Sequence, residues 1–514
     1  MALDLNQVPD DPQVLRQIVL DLAAQLDWHS LEKNKLEGLL RELLDARHAR
    51  KRERLSEEQL ALFEAAWQAR QQEAEAPAPE DSDDDQDPPH GGPPDEVANQ
   101  PKKRGGRQPL SPNLKRQRIV HDLPEADKHC AGCAQDLRHI GEDTSSRYEY
   151  IPASLIVIED ACLKYACECT VRTAGKPPQP IEKSTAGASL LAQVVVAKFA
   201  DHQPLHRQEK IFARHGVEIS RKTMGGWMGQ SAALLEPLYQ SLKNALLESK
   251  VIGTDDTTVK VLDRKLDVAR IGRIWPYLGD QEHPVIVYDY TPTRERAGPD
   301  KFLGDYRGYL QADAYAGYDA FFTPERGMIE VACWMHGRRY FRKALESDER
   351  QMGPALVLIA KLYRVEDQAR GLTGQDRLEV RQRLSRPVMN KLHSYLLEIQ
   401  PQVLPKSPAA VAVRYTLNQW EALNRFLEDG DLEIDNGATE RANRDVAIGR
   451  NNWTFFGSDQ GGNTDAVLRS FVASCKRVGV EPFAWFRDVL SRVASHPITA
   501  LTKLLPQHWA NAKA

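Results

Sequence analysis

The feature that most constrains this chain is a change of period near residue 250. Upstream, apolar residues recur at helical spacing. From Val251 to Cys333 they come in short runs rich in β-branched and aromatic residues, cut by turns such as Gly279-Asp280. Candidate strands are Val251–Val261, Ile271–Leu278, Pro284–Tyr290, Tyr309–Asp313 and Met328–Cys333, with a helix at Lys301–Tyr306. Three successive strands, a helix, a strand, a helix and another strand specify a mixed α/β sheet. Residues 338–430 return to Leu-rich amphipathic helical runs, and further helices follow at 435–448 and 464–505.

This pattern places three acids. Asp255 lies mid-strand, and period-2 alternation sends Asp255 and Asp256 to opposite faces. Asp313 ends its strand. Glu440 lies on a helix opened by Asp435-Asn436, and Asn436 shares its face. Carboxylates at neighbouring strand ends cannot all stay ionised at close range without a cation. Magnesium takes oxygen ligands and keeps water positions. Two such ions about 4 Å apart activate a nucleophile and stabilise the leaving oxygen of a phosphodiester. Three acids on a sheet-plus-helix scaffold therefore suit cleavage and joining of nucleic-acid strands. The competing reading is that all three are ordinary solvated acids.

The 514 residues suggest roughly three to five domains. A hydrophobic share of 41% with 27% charged residues fits a folded core with polar extensions. No apolar run is long enough to span a bilayer, and the N-terminus lacks an apolar leader, so a cytoplasmic protein without a membrane partner is expected. Over 12–47, Leu15, Val19, Leu22, Leu26, Leu36, Leu40 and Leu43 follow heptad spacing, with His29 and Lys33 interrupting the seam. A coiled coil pairing subunits is expected there; the alternative is an amphipathic helix packed on its own domain. A short helix at 56–70 carries Leu60, Leu62, Phe63 and Trp67. Residues 71–101 hold no Lys or Arg and read as a disordered acidic linker, and Lys102-Lys103-Arg104 follows at once. The net charge of −5 thus averages two segregated signs and does not exclude nucleic acid.

Five of the seven cysteines fall within 40 residues. Cys130-Ala-Gly-Cys133 places two thiolates on one tetrahedral edge, and Cys167-Glu-Cys169 could supply the other, a set that fits a closed structural zinc site. Cys162, His129 or His139 could replace a ligand, and free buried thiols are the alternative. Cys333 and Cys475 stand alone and read as packed thiols. Three helices at Leu190–Phe199, Leu205–His215 and Ser220–Leu235, with a Gly216 turn and Ser220 as N-cap, outline a helix-turn-helix. Arg221 and Lys222 would then face DNA; plain scaffold helices are the other reading.

Nearly all of the chain beyond residue 100 resembles transposases of the insertion-sequence-66 family. Gly105-Gly-Arg-Gln-Pro-Leu110 followed by His129-Cys130-Ala-Gly-Cys133 is similar to the family's zinc unit, and Lys198–Glu209 to its helical block. Phe302–Tyr318, containing Gln-Ala-Asp313, resembles the second-aspartate motif. Cys333-Trp-Met-His336-Gly-Arg338-Arg339, Leu417–Glu421, Leu432–Arg441, Asn452-Trp453 and Gly457–Gly462 match further blocks. The first motif departs: the family's usual His-Ala-Asp-Glu-Thr is Gly253-Thr254-Asp255-Asp256-Thr257 here, and the second cysteine pair is one residue shorter.

The resemblance implies a DDE transposase: a multidomain α/β protein with an RNase H-like mixed sheet and an all-helical insertion. Asp255, Asp313 and Glu440 would be catalytic and hold two Mg2+ ions, or Mn2+. Cys130, Cys133, Cys167 and Cys169 would hold structural Zn2+. The resemblance puts His336 near the active site and in reach of DNA; beside it, Arg221 and Lys222 of the helix-turn-helix outline and the basic Arg338, Arg339, Arg441, Arg444 and Arg450 around the core are expected to contact DNA. The expected division is an oligomerisation region (1–70), linker (71–101), zinc unit (102–180), helical DNA-binding region (181–249), core first part (250–337), insertion (338–430), core second part (431–463) and C-terminal helices (464–514). Expected partners are double-stranded DNA, both terminal inverted repeats and target, a second copy of the chain, and accessory proteins of the same element. The rivals are a nuclease without strand transfer and a zinc-dependent DNA-binding regulator.

Overall fold

The computed structural model describes residues 56–75, 154–166, 171–175, 178–263 and 268–509. The chain divides into a unit of residues 77–174 and a larger one of residues 1–76 and 175–514. In the smaller unit β1 (Lys164–Ala166) and β2 (Val171–Thr173) form an antiparallel hairpin, Lys164 opposite Thr173. The expected zinc ligands Cys130, Cys133, Cys167 and Cys169, the alternatives His129 and His139, the 12–47 heptads and residues 76–101 lie outside the described residues.

Among the described residues the larger unit's first element is α1 (Glu57–Glu75), which runs five residues past the end at residue 70 expected for this helix. Gln71, Gln72, Glu73, Ala74 and Glu75 are good helix formers with no Gly or Pro to stop them. Helices α2 (Ala188–Phe199), α3 (Leu205–Arg214) and α4 (Arg221–Leu247) follow. Ser220 caps α4, its Oγ accepting from Thr223 N at 3.1 Å. Helix α4 continues well past its expected end at Leu235, because Leu238, Tyr239, Leu242 and Leu246 keep burying one face against the sheet.

Six strands form the sheet: β3 (Val251–Thr254), β4 (Thr257–Val261), β5 (Arg270–Leu278), β6 (Ile286–Thr291), β7 (Tyr309–Gln311) and β8 (Ile329–Val331). Strands β6 and β3/β4 flank β5 antiparallel; β7 pairs parallel with β3, and β8 with β7. The expected strand Val251–Val261 is thus two strands, broken at Asp255-Asp256. Pro276 in β5 stands opposite this break, since Tyr277 pairs with Thr254 and Ile274 with Thr257. Its partner on β6, Tyr288, turns its N–H away to Ser470 Oγ at 2.8 Å. The proline's missing N–H therefore costs the ladder nothing. Helix α5 (Ala297–Leu303) stops at Gly304, whose φ of +54° suits glycine.

Beyond β8 come α6 (Trp334–Leu345), α7 (Glu349–Gln368), α8 (Gly374–Val380), α9 (Arg386–Ile399), α10 (Pro408–Asn418) and α11 (Trp420–Asn424). They enclose a core of their own around Trp334, Phe341, Met352, Ile359, Leu392 and Phe426, on which α1 packs Trp67. The chain returns through α12 (Gly437–Trp453) and α13 (Asp459–Arg477), then α14 (Pro482–Arg492) and α15 (Pro506–Trp509). Helix α13 covers the free edge of β6. Ile286 N donates to Ser474 Oγ at 3.0 Å, as Tyr288 N does to Ser470. Four helical residues rise about 6 Å and two strand residues about 6.6 Å, so serines four apart meet alternate strand amides. No helix among the described residues is long and apolar enough to cross a membrane.

Candidate active site at the strand tips

Strands β3 and β7 are parallel neighbours in register, Gly253 beside Gln311. Two residues on, each carries an aspartate past the end of its strand: Asp255 and Asp313. The register brings both carboxyls to the same end of the sheet, on strands about 4.8 Å apart. Burial raises the Asp255 carboxyl to about 6, with the Asp313 and Asp256 charges adding to it. Burial also raises Asp313, while His336 and Arg294 pull it back.

Helix α12 crosses these tips. Asn436, at its N-cap position, donates Nδ2 to Thr254 O at 2.8 Å; Asn443 donates Nδ2 to Asp255 Oδ2 at 2.8 Å. Between them the helix passes over Gly253, where a Cβ would stand 2.7 Å from Thr439 Oγ1. A glycine is therefore required for this close approach. Residues 436, 440 and 443 share one helical face, so Glu440 is carried to the same end of the sheet. Its Oε1 lies 3.7 Å from His336 Nε2 and 3.9 Å from Arg339 Nη2, both on α6.

The start of α12 is fixed from below. Asn436 N donates to Cys333 Sγ at 3.2 Å, and burial pushes that thiol up to about 12. Gln311 Nε2 donates to Glu433 O at 2.7 Å, and Tyr363 OH to Asp435 Oδ2 at 2.9 Å. Cys333 and Cys475 are both buried free thiols, as their isolation in the sequence suggested.

The expected DNA contacts divide. Arg441 and Arg444 are exposed on α12, and Arg221 and Lys222 on the first turn of α4. Arg338 stacks on the Tyr363 ring at 4.6 Å. Arg450 instead spends Nη1 on Thr257 Oγ1 (2.9 Å) and Thr258 O (2.6 Å), tying α12 to β4. Sequence reasoning passed over Gly253, Asn443, Arg273 and Arg294. Asn436 and Asn443 flanking Glu440 at helical spacing were the legible signal; the arginines, distant in sequence, gave none.

The donor chemistry fits a hard divalent cation: carboxylate oxygens only, two of them desolvated by burial, with the Asp313 charge raising Asp255 and the Asp256 charge raising both. As the side chains stand, no three His, Cys, Asp or Glu among the described residues form a metal-holding group. Asp255 and Asp313 make a pair, and Glu440 is turned to His336 and Arg339.

Comparison with known proteins places the chain. The model of the Transposase IS66 family matches residues 183–464, and that of the IS66 C-terminal element residues 470–507. The zinc-finger binding domain of transposase IS66 matches residues 127–170, and Transposase C of IS166 homeodomain residues 35–119. The chain belongs to the IS66 transposase family. Among curated relatives, the uncharacterized protein y4hP of Sinorhizobium fredii is 31% identical over 504 residues, 93% of this chain and 89% of the relative. The uncharacterized y4jD of the same organism is 32% identical over 442 residues, 80% of this chain and 86% of the relative. A third, y4qI, is 33% identical over 431 residues, covering 81% of this chain and 79% of the relative.

Proposed function

We propose that this chain is a DNA transposase with an RNase H-like core, cutting and joining DNA at the strand-tip site. The observation that carries the reading is the register of β3 and β7, which sets Asp255 and Asp313 side by side beneath the helix bearing Glu440. In this reading Asp255, Asp313 and Glu440 hold two divalent cations, Mg2+ or Mn2+, which when bound activate the attacking oxygen and stabilise the leaving one. Water attacks a phosphodiester at the element's end; a P–O bond forms and the 3′ oxygen leaves as a hydroxyl. That hydroxyl then attacks a target phosphodiester, whose own 3′ oxygen leaves. Both are in-line phosphoryl transfers, for which the protein mainly positions the groups.

The chain's own residues do the placing. Asn443 holds Asp255 Oδ2 and the Asp256 N–H holds Oδ1, so the carboxyl is oriented and each oxygen keeps a further lone pair for a ligand. Asn436 anchors α12 so that Glu440 can swing from His336 toward the tips. His336, Arg338, Arg339, Arg441 and Arg444 line the approach and contact phosphates, so binding weakens steeply with salt. Arg221 and Lys222 read or grip terminal repeats, and Cys130, Cys133, Cys167 and Cys169 hold a structural zinc. The N-terminal heptads pair two copies, and accessory proteins of the same element assist. The division into oligomerisation region, linker, zinc unit, helical region, split core and insertion follows this reading.

A second reading, a DNA-binding regulator, is favoured by one observation: Glu440 contacts His336 and Arg339, and no three acids among the described residues form a metal-holding group. One assay separates the readings. Purified protein and labelled element ends, with Mg2+, should give joined product that Glu440→Gln abolishes. Cleavage without joining would favour a plain nuclease. Tight binding with no chemistry would favour the regulator.

A further inference from the structure

Arg294 follows β6 and belongs to none of the blocks that suggested the site, yet its guanidinium reaches it. Its Nε and Nη2 both contact Asp256 Oδ1, at 2.8 and 2.7 Å. Asp256 is buried, and its other oxygen takes Arg273 Nη1 at 2.6 Å. The Tyr315 ring lies against the guanidinium at 4.0 Å, and Tyr315 OH donates to Arg294 O at 2.5 Å. Tyr315 in turn donates its N–H to Asp313 O at 2.8 Å, so the residue that clamps the arginine is tied to the second aspartate. A side chain still 38% exposed is thereby fixed on three sides.

Fixed in this way, Arg294 Nη2 stands 3.7 Å from Asp313 Oδ2. That is too long for a hydrogen bond and short enough for strong attraction. Asp313 gains a neighbouring positive charge without giving a lone pair to the guanidinium. Asp256 holds the guanidinium back from closing on Asp313. Two acids beside each other at the strand tips would otherwise repel.

We propose that Arg294 is a built-in countercharge for the strand-tip carboxylates: a positioning residue, anchored by Asp256, that balances Asp313 and competes with a divalent cation for it. This rests on the carboxylate reading above. An arginine suits the task because it stays charged at every working pH and its planar fork fits one carboxylate while facing another.

The test is Mn2+ binding to the full chain without DNA, followed by electron paramagnetic resonance. Wild type, Arg294→Gln, Arg294→Met, Arg294→Lys and Asp313→Asn are compared, each checked for folding by its thermal melt. Removing the charge should tighten Mn2+ binding about three- to tenfold in both neutral variants, while Arg294→Lys stays close to wild type. A merely structural arginine would weaken binding when lost. Unchanged or weaker binding in a folded neutral variant, with Asp313→Asn abolishing binding, would overturn this inference alone. Tightening in Arg294→Lys equal to that in Arg294→Gln would overturn it too, since charge would not be the cause. No Mn2+ binding by the wild-type chain would overturn the carboxylate reading and this inference with it.

Discussion

The strand tips and the helical insertion both place charge inside the protein, and they do so in opposite ways. In the insertion Arg381 is wholly buried and well supplied with acceptors. Its Nε and Nη2 take both oxygens of Glu366 at 2.8 and 2.6 Å, and its Nη1 takes Phe426 O at 3.1 Å and Leu432 O at 2.8 Å. At the tips, Asp255 and Asp313 are desolvated yet incompletely balanced, and both titrate above their ordinary range. A saturated buried charge holds chain to chain: here it clamps the segment that leads into α12. An unsaturated pair costs stability, and that cost is consistent with a site kept for a ligand. The two regions should therefore respond to mutation in opposite currencies, activity at the tips and stability in the insertion.

The largest expected effect is at the tips. Asp313→Asn should lower strand joining by about a thousandfold, the equivalent of about 4 kcal/mol in the barrier, while leaving the melting temperature unchanged or higher. A variant that loses activity by unfolding would break the comparison. Next comes Arg381→Ala, which strands Glu366 and the carbonyls of Phe426 and Leu432. It should cost about 3–5 kcal/mol in denaturant unfolding, and Arg381→Met with Glu366→Leu should recover part of that. If Arg381→Ala unfolds like wild type, the clamp is not what holds the insertion.

How much of this could be read from the sequence differs between the same regions. The strands near 271–278 and 309–313 and the helices of the insertion were legible because their periods are local. So was the burial of Cys333 and Cys475. The break at Asp255-Asp256 was not, because alternation continues across it and only pairing with β5 shows the gap opposite Pro276. The α12 helix was legible, including the shared face of Asn436 and Glu440. That Glu440 leans on His336 and Arg339, that Arg450 ties α12 to β4, and that Arg294 faces Asp313 depend on contacts across many residues, which no local pattern encodes. The end of α4 ran on because tertiary burial, not propensity, set it.

A smaller effect tests how closely α12 is seated. Gly253→Ala places a methyl 2.7 Å from Thr439 Oγ1, and either the helix or the strand must give. The expected cost is about 1–3 kcal/mol. Thr439→Ala should relieve it, so a double-mutant cycle should show a favourable coupling between the two changes. Additive costs would mean that the helix has room, and that Glu440 is not delivered by close packing.

The smallest effect, in pH, separates a site acid from another buried one. Asp289 on β6 is also raised to about 6, chiefly by burial, with Lys243 and Lys301 partly offsetting it. For both Asp255 and Asp289 the folded carboxyl holds its proton more tightly than the unfolded one, whose ordinary value is 3.8. The folded state therefore binds more protons between pH 4 and 6. Stability without added cation should fall as pH rises through that window and level off above it. Asp255→Asn and Asp289→Asn should each flatten the profile. Saturating Mg2+ should restore stability above pH 6 in wild type and in Asp289→Asn, because only the Asp255 carboxylate gains a partner from the ion. If Mg2+ rescued Asp255→Asn equally well, the cation would be binding elsewhere, and the contrast between an acid kept open at the strand tips and an acid merely buried on β6 would fail.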